Sequence, residues 1–464
     1  ERDEFVVKGF MGEDVDQIER HIRGIGAEVL QRATDRLFVR TDISNLSNIA
    51  AHVGVQWIAK AYRMIARNDN GTWITQTYVF GNRKIFDKGL TGSDQIVAVS
   101  DTGLDADHLM FWDPSAGLPS HDLNPSQRKV LAYYNWYQTG VLVGSPPYYS
   151  PGDGYYPGPL DPKYNVYDWD FNRGHGTHVA GTVAGEWPTG ITLPTSGRVT
   201  TSGYDYYEGN AFDARLVIQD LSRPTSQYIY PPPDLNDYNP PDYGYPGSVG
   251  LFPQAIAAGA YIHTNSWGGG GFQSYDSYSQ DVDEMMWSNP EFLIIFSNGN
   301  DGPGAGTITP PATAKNCISV GAAETSNDGY GHNSENVAYF SSWGPTDYWT
   351  RVKPDIVAPG FYIFSARNND VTDGSSPNDG LVGYGGTSTA APAVAGAAAL
   401  VREYFTENWY TPVGASTGFL GAGAFTPSAA LVKAVIINSA QPMTGKNTGG
   451  TIPGNGQGWG RLLL

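Results

Sequence analysis

Apolar positions along this chain follow two regimes that change near residue 70. In the first, short alternating stretches flank helical ones. Glu4–Gly9 (EFVVKG) reads as a strand, and Asp14–Arg23 sets Val15, Ile18 and Ile22 on one helical face. Ala27–Gln31 and Arg36–Arg40 read as strands on either side of Thr34-Asp35. Ser44–His52 reads as a second helix that Asp42 or Ser44 would cap, and Gly54–Ala59 as a last strand. The order β-α-β-β-α-β predicts a small α+β, ferredoxin-like module. Asn68–Gly71 (NDNG) reads as a polar, turn-prone linker, which divides the chain into residues 1–66 and 67–464.

In the second regime the strands are almost continuously apolar and alternate with helical segments. They are Gln95–Ser100, Arg215–Gln219, Tyr261–Thr264, Phe292–Phe296, Cys317–Val320 and Asp355–Val357. Strands of that kind are covered on both faces, so the pattern predicts an α/β domain. Its expected core is a doubly wound, mostly parallel central sheet with helices on both faces. Two stretches break the alternation. Residues 141–167 carry six Tyr and six Pro, and residues 227–247 carry five Tyr and six Pro. Both read as long surface loops stiffened by proline.

Composition narrows the partners. Acidic residues outnumber basic ones 46 to 28, for a formal charge of −18. Such a chain is repelled by phosphate backbones and anionic membrane surfaces, so no nucleic acid partner is expected. No apolar run approaches the ~18 residues of a membrane span. Charged residues are 16%, against about 25% in an average domain, and 58 Gly and 29 Tyr help fill the gap. That balance reads as a loop-rich, compact surface of extracellular type. The single Cys317 excludes an intramolecular disulfide, and its setting in NCISVGA reads as a small buried hydrophobe.

Three segments place reactive side chains at the ends of apolar runs. Asp101 closes IVAVSD, His175 lies between glycines in GHGTHVAGTVAG, and Ser388 heads the apolar helix of GGTSTAAPAVAGAAAL. A serine hydroxyl is a weak nucleophile and needs a base; histidine titrates in the right range; a carboxylate on its other nitrogen fixes the tautomer. Ser388 at a helix start also offers its own N–H to a developing oxyanion. Asn300, in the Gly-rich turn of SNGNDG, offers a side-chain amide as the second donor.

Taken together, DTGLD, HGTHVAGT, NSWGG, SNGNDG, SSWGPT, KPDIVAPG and GTSTAAP resemble the subtilisin-like serine proteases (subtilases, peptidase family S8) motif by motif. The order Asp, His, Ser is theirs, and not that of chymotrypsin or the α/β-hydrolases. YIHTNSWG, TAKNCISVGA and GQGWGR are closest in wording to the oxidatively stable alkaline proteases of bacilli. The resemblance covers about residues 72–464. It implies a secreted serine endopeptidase, with Asp101, His175 and Ser388 as triad and Asn300 in the oxyanion hole. It assigns substrate contacts to Ser266, Trp267 and Gly268, to Ser297, Asn298 and Gly299, and to Thr309, with a cis Pro310–Pro311 bond beside it. Residues 1–60 resemble the subtilase propeptide, which implies a self-processing zymogen with its own inhibitor and chaperone. Protein or peptide substrates are the other expected partners. The extracellular location is expected from this resemblance, since the segment opening the sequence lacks the pattern of a secretion signal. Where the family usually has methionine after the nucleophile this chain has Thr389, which implies tolerance of peroxide.

Other polar groups read more plainly. Asp105 and Asp107 are expected as turn or surface carboxylates, and His178 as a structural histidine, since the glutamate of HExxH is missing. No cofactor is expected for catalysis. The family often binds structural calcium, so an ion is expected at a position the sequence does not place. The acidic clusters Asp161, Asp168 and Asp170, and Asp234, Asp237 and Asp242, read first as solvated loops. The alternative to a peptidase is a catalytically silent binding or structural protein on the same scaffold, held shut by residues 1–60.

Overall fold

The computed structural model describes residues 2–10, 15–32, 36–60, 69–79, 82–136, 170, 174–188, 207–222, 229, 231–232, 234–237, 250–325, 333–346, 351–368, 379–410 and 423–464. The chain divides into two compact units, Glu1–Ala66 and Arg67–Leu464.

The first unit runs β1 (Arg2–Gly9), α1 (Val15–Gly24), β2 (Glu28–Arg32), β3 (Arg36–Asp42), α2 (Leu46–Ala50) and β4 (Val55–Lys60). Its sheet has the order β2-β3-β1-β4 with every pairing antiparallel, which is the ferredoxin-like arrangement. The helical spacing of Val15, Ile18 and Ile22 sets that face of α1 against Val7, Leu37, Val39 and Ile49, all buried. The second helix is shorter than its sequence suggests. Asp42 accepts from the Ser44 backbone N–H at 2.9 Å, which tightens Ile43–Asn45 into a 3₁₀ turn before α2 begins.

The second unit is built on seven parallel strands: β5 (Ile96–Asp101), β6 (Val130–Asn135), β7 (Arg215–Asp220), β8 (Ile262–Asn265), β9 (Leu293–Ser297), β10 (Ile318–Ala323) and β11 (Ile356–Pro359). They lie in the order β11-β10-β9-β8-β5-β7-β6. The flanking helices are α3 (Asp69–Gln76), α4 (Lys84–Asp87), α5 (His175–Ala184), α6 (Leu251–Ala257), α7 (Ser277–Ser288), α8 (Thr387–Thr406) and α9 (Ala429–Ser439). A small antiparallel hairpin, β12 (Ile363–Ala366) with β13 (Leu381–Tyr384), packs on α5. The long α8, rich in alanine, lies across β8, β9, β10 and β11. Strand order turns at β5. After β5 the chain crosses to the edge strand β6, returns inward to β7, and then builds β8–β11 outward on the other side of β5. The crevice beyond the strand ends at such a point is where an α/β sheet binds its ligand.

Two expectations change here. Asp69–Gly71 of the expected linker start α3, because burying Trp73 and Ile74 carries the helix back over them; Asn68 lies outside the described residues. β6 and the β12–β13 hairpin were not anticipated. The Tyr/Pro-rich stretches lie almost wholly outside the described residues. No helix among those described is long and apolar enough to cross a membrane.

Beneath β10 and β11 sits a buried ion cluster. Asp355 takes Lys353 Nζ at 2.6 Å on one oxygen and Lys433 Nζ at 3.1 Å on the other. Burial would push its carboxyl up, but the two ammonium groups hold it below the usual carboxylate range. Cys317 is buried beside them, 3.9 Å from Lys353 Nζ, and burial pushes its thiol up. Asp355→Ala would leave the buried Lys353 ammonium and the partly buried Lys433 one without their carboxylate, and should cost about 3 kcal/mol, read from urea unfolding midpoints.

Candidate active site

The site forms where the ends of β5, β8 and β9 meet the first turns of α5 and α8. Asp101 is the last residue of β5 and is buried. Its Oδ1 accepts from the Thr102 backbone N–H at 2.7 Å, which fixes the carboxylate, and faces His175 Nδ1 at 2.6 Å. A carboxylate only accepts, so Nδ1 carries the proton and Nε2 is left as the basic nitrogen. The pair depends on a close approach of backbones. A Cβ on residue 176 would lie 2.1 Å from the Gly103 carbonyl oxygen, so only glycine lets α5 start this near β5. The Gly176 N–H then donates to Thr102 Oγ1 at 2.9 Å and pins the helix start to the strand end. Burial disfavours an imidazolium, yet Asp101, through its charge and its hydrogen bond, outweighs it, and the His175 pKa is raised.

Ser388 is the second residue of α8, where backbone N–H groups have no acceptor within the helix. Its hydroxyl donates to the Ser266 carbonyl at 3.2 Å, and the Ser266 hydroxyl donates to the Ser388 carbonyl at 2.8 Å. This reciprocal pair ties the tip of α8 to the end of β8. The Ser388 hydroxyl is therefore turned to Ser266 and not to His175. Such a link often closes only around substrate.

Asn300 follows β9. Its Oδ1 accepts from the Thr387 backbone N–H at 2.9 Å and from Thr387 Oγ1 at 3.0 Å. A backbone N–H can only donate, so the atom facing Thr387 is oxygen and Nδ2 points the other way. Asn300 Nδ2 and Ser388 N each stand 3.6 Å from the place a Cβ on residue 386 would take. Two nitrogen donors thus border one small space beside Ser388.

Three further segments converge next to it. A Cβ on residue 268 would stand 3.5 Å from Thr309 Oγ1, and one on residue 299 would stand 3.4 Å from it. Gly299 has φ +109°, which suits glycine alone. Gly268 and Gly299 therefore both come up against Thr309, and the Pro310–Pro311 bond beside it is cis. The Trp267 indole donates to the Ser100 carbonyl at 3.1 Å and packs edge-on against Phe296, so residue 267 contributes backbone. Asn298 is fully buried and donates to the Ser342 carbonyl, supporting the wall from behind.

Other expected groups lie apart. His178 turns inward to the Ile363 carbonyl at 2.8 Å, and burial pushes its pKa down to about 3, which keeps it neutral. Asp105 and Asp107 are not surface carboxylates: the turn after β5 buries both completely. Thr389 Oγ1 donates back into the α8 start, to the Gly360 carbonyl at 3.0 Å or the Gly386 carbonyl at 2.9 Å. Asp170 is not a solvated loop residue either. It is buried, with both carboxylate oxygens bonded, to Thr102 and Thr177, and burial pushes its pKa up to about 6. Its signal was a place five residues before His175, hidden in an acidic, Tyr- and Pro-rich stretch. Asp234 Oδ1 accepts from the backbone of Asn236 and Asp237. Asp161, Asp168 and Asp242 lie outside the described residues. Among those described, no three His, Cys, Asp or Glu gather as metal ligands.

A family model described as "Subtilase family" matches residues 92–460. The chain is 29% identical to the serine protease/ABC transporter B family protein tagD of Dictyostelium discoideum, over 82% of this chain and 23% of that protein. It is 29% identical to the serine protease AprX of Bacillus subtilis, over 53% of this chain and 51% of that protein. The chain spans less than a quarter of the length of the Dictyostelium relatives it matches. Among solved structures, the Clostridium perfringens CspB protease matches with a TM-score of 0.52 at 15% identity, over 86% of this chain and 97% of that one. A structure titled "S41 Psychrophilic Protease" matches with a TM-score of 0.50 at 21% identity, over 81% and 92%. At these identities the structures speak for the fold alone.

The His175–Asp101 pair makes a titration testable. The imidazole of His175, followed by NMR in ¹⁵N-histidine protein, should protonate at higher pH than an exposed histidine. Asp101→Asn removes the charge that raises it, so the midpoint should fall, by roughly one unit or more.

Proposed function

This chain belongs to the subtilase family, and we propose that it is a secreted serine endopeptidase working through an acyl-enzyme on Ser388. The observation that carries the reading is the 2.6 Å contact of His175 Nδ1 with Asp101, made beside a serine at a helix start.

The chemistry follows from the positions. The Ser388 hydroxyl swings from the Ser266 carbonyl toward His175 Nε2, gives it the proton, and Oγ bonds to the scissile carbonyl carbon. Asp101 stabilises the imidazolium that results. Negative charge moves onto the carbonyl oxygen, where the Ser388 N–H and Asn300 Nδ2 meet it. The C–N bond breaks, and His175 returns the proton to the leaving amine. Water then repeats the sequence on the ester and releases Ser388. By the subtilase resemblance, the side chain before the scissile bond is taken up at Thr309. Ser266–Gly268, Phe296–Gly299 and Thr309 include no Asp or Glu, so large apolar or aromatic side chains suit it and Lys or Arg do not.

A fluorophosphonate tests the reading. It should label Ser388 and leave Ser388→Ala unlabelled; no labelling once residues 1–66 are removed would leave the silent-scaffold alternative. Asn300→Ala should slow turnover about 10²–10³-fold with little change in KM, because the amide meets charge only in the transition state.

We also read residues 1–66 as a propeptide, an inhibitor and folding chaperone of the catalytic unit. A ferredoxin-like sheet with its own buried core supports this. Self-cleavage is expected within residues 60–68, of which 61–68 lie outside the described residues, after an apolar residue such as Tyr62 or Met64. Mass spectrometry of purified protein should find a cut in that interval. A cut beyond Gly71, or an active preparation left whole, would count against it.

A further inference from the structure

Behind the His175–Asp101 pair lies a second carboxylate that the mechanism above does not use. Asp170 is 1% exposed. Its Oδ1 accepts from Thr102 Oγ1, next to Asp101, and its Oδ2 accepts from the Thr177 N–H at 2.7 Å, two residues after His175. Its main-chain oxygen takes the Gly174 N–H at 3.3 Å and Asn368 Nδ2 at 3.2 Å. One residue therefore brackets the strand end that carries Asp101 and the helix start that carries His175.

The Thr102 hydroxyl has a single proton and two carboxylates in reach. Asp101 Oδ1 is 3.2 Å away and Asp170 Oδ1 is nearer. Asp170 takes the proton, so Asp101 Oδ1 is left to His175 and to the Thr102 N–H. We propose that Asp170 is a positioning residue of the catalytic pair: it draws the Thr102 hydroxyl hydrogen bond away from Asp101 and adds its own negative charge behind His175, so that two carboxylates stabilise the imidazolium, Asp101 in contact and Asp170 at longer range. This rests on the peptidase reading for its consequence in turnover, but not for its effect on His175.

Of the other titratable groups around the bracket, Asp220 and His178 do not supply the same charge. Asp220, in register with Asp101 on β7, is pushed up to about 8 by burial and is largely protonated at neutral pH. His178, on the same helix as His175, is held neutral. Asp105 and Asp107, on the loop after β5, are buried, and the Asp105 N–H is fixed by Thr177 Oγ1 at 2.8 Å. Asp170 itself, pushed up to about 6, is mostly ionised at neutral pH, and its charge raises the His175 pKa alongside that of Asp101.

The test is the His175 imidazole titration in the full chain, assigned by its loss in His175→Gln. Asp170→Asn keeps the shape. Its amide donates to Thr102 Oγ1, which sends the hydroxyl proton to Asp101, and the charge is gone. The His175 midpoint should fall by roughly half to one unit. In active protein the acid limb of kcat/KM should move down by the same amount, and kcat should drop about 10-fold with KM unchanged. If Asp170→Asn does not fold, Thr102→Val decides: without that donor the buried Asp170 carboxylate loses support for its charge, and His175 should again titrate lower, whereas Thr102→Ser should titrate like the parent. A His175 midpoint that stays at the parent value in Asp170→Asn or, failing that variant, in Thr102→Val overturns the proposal. Protein freed of residues 1–66 that hydrolyses no peptide and takes no fluorophosphonate defeats the peptidase reading instead, and the titration in the full chain still decides this one.

Discussion

The site hangs on a single approach of two backbones. The start of α5 lies against the turn after β5 with no space for even a methyl group on residue 176, and His175 reaches Asp101 only because of it. The glycine carries no chemistry. It removes the atom that would hold the base a bond length too far from its partner, and the Gly176 N–H, bonded to Thr102, keeps the gap closed. Interiors pack too densely for such a contact to be relaxed locally, so the strand, the turn and the helix stand or fall together.

From that anchor the sheet does the remaining placing. Because strand order turns at β5, the ends of β5 and β8 face one crevice, and β9 delivers Asn300 to its side. The last component arrives on α8, whose small residues let it lie close on four strands, and whose first turn is tied to β8 by two crossed serine hydrogen bonds. Each reactive group thus sits at the end of a rigid element, with its orientation set by a neighbour's hydroxyl or amide: Thr102 for Asp101, Thr387 for Asn300, Ser266 for Ser388. Preorganisation of this kind matters because a dipole already aimed at the developing charge need not turn during the reaction.

Much of this was legible from residues alone, and what was legible shares a cause. The buried strands announce themselves because a sheet covered on both faces tolerates little but apolar residues, and Asp101, His175, Asn300 and Ser388 stand out as polar residues breaking those runs. What stayed hidden depends on contacts between distant segments. Asp170 reads as one more acid in an acidic loop until Thr102 and Thr177 are seen on its two oxygens. Asp105 and Asp107 look solvated because charge normally seeks water, and tertiary packing overrides that. The linker reading of Asp69–Gly71 failed for the same reason: turn-prone residues yield when Trp73 and Ile74 have a core to enter. In α2 the local chemistry won instead, with the Asp42 cap drawing the first turn tight.

Cys317 has a practical side. Its thiol is fully buried, faces the Ala312 and Ala314 carbonyls, and is held in its protonated, unreactive form. Towards alkylating reagents in water, the folded chain behaves as though it had no cysteine at all. A single cysteine introduced at an exposed position would then be the molecule's sole point of attachment, so a fluorophore, a spin label or a surface could be coupled there without first engineering the native thiol away.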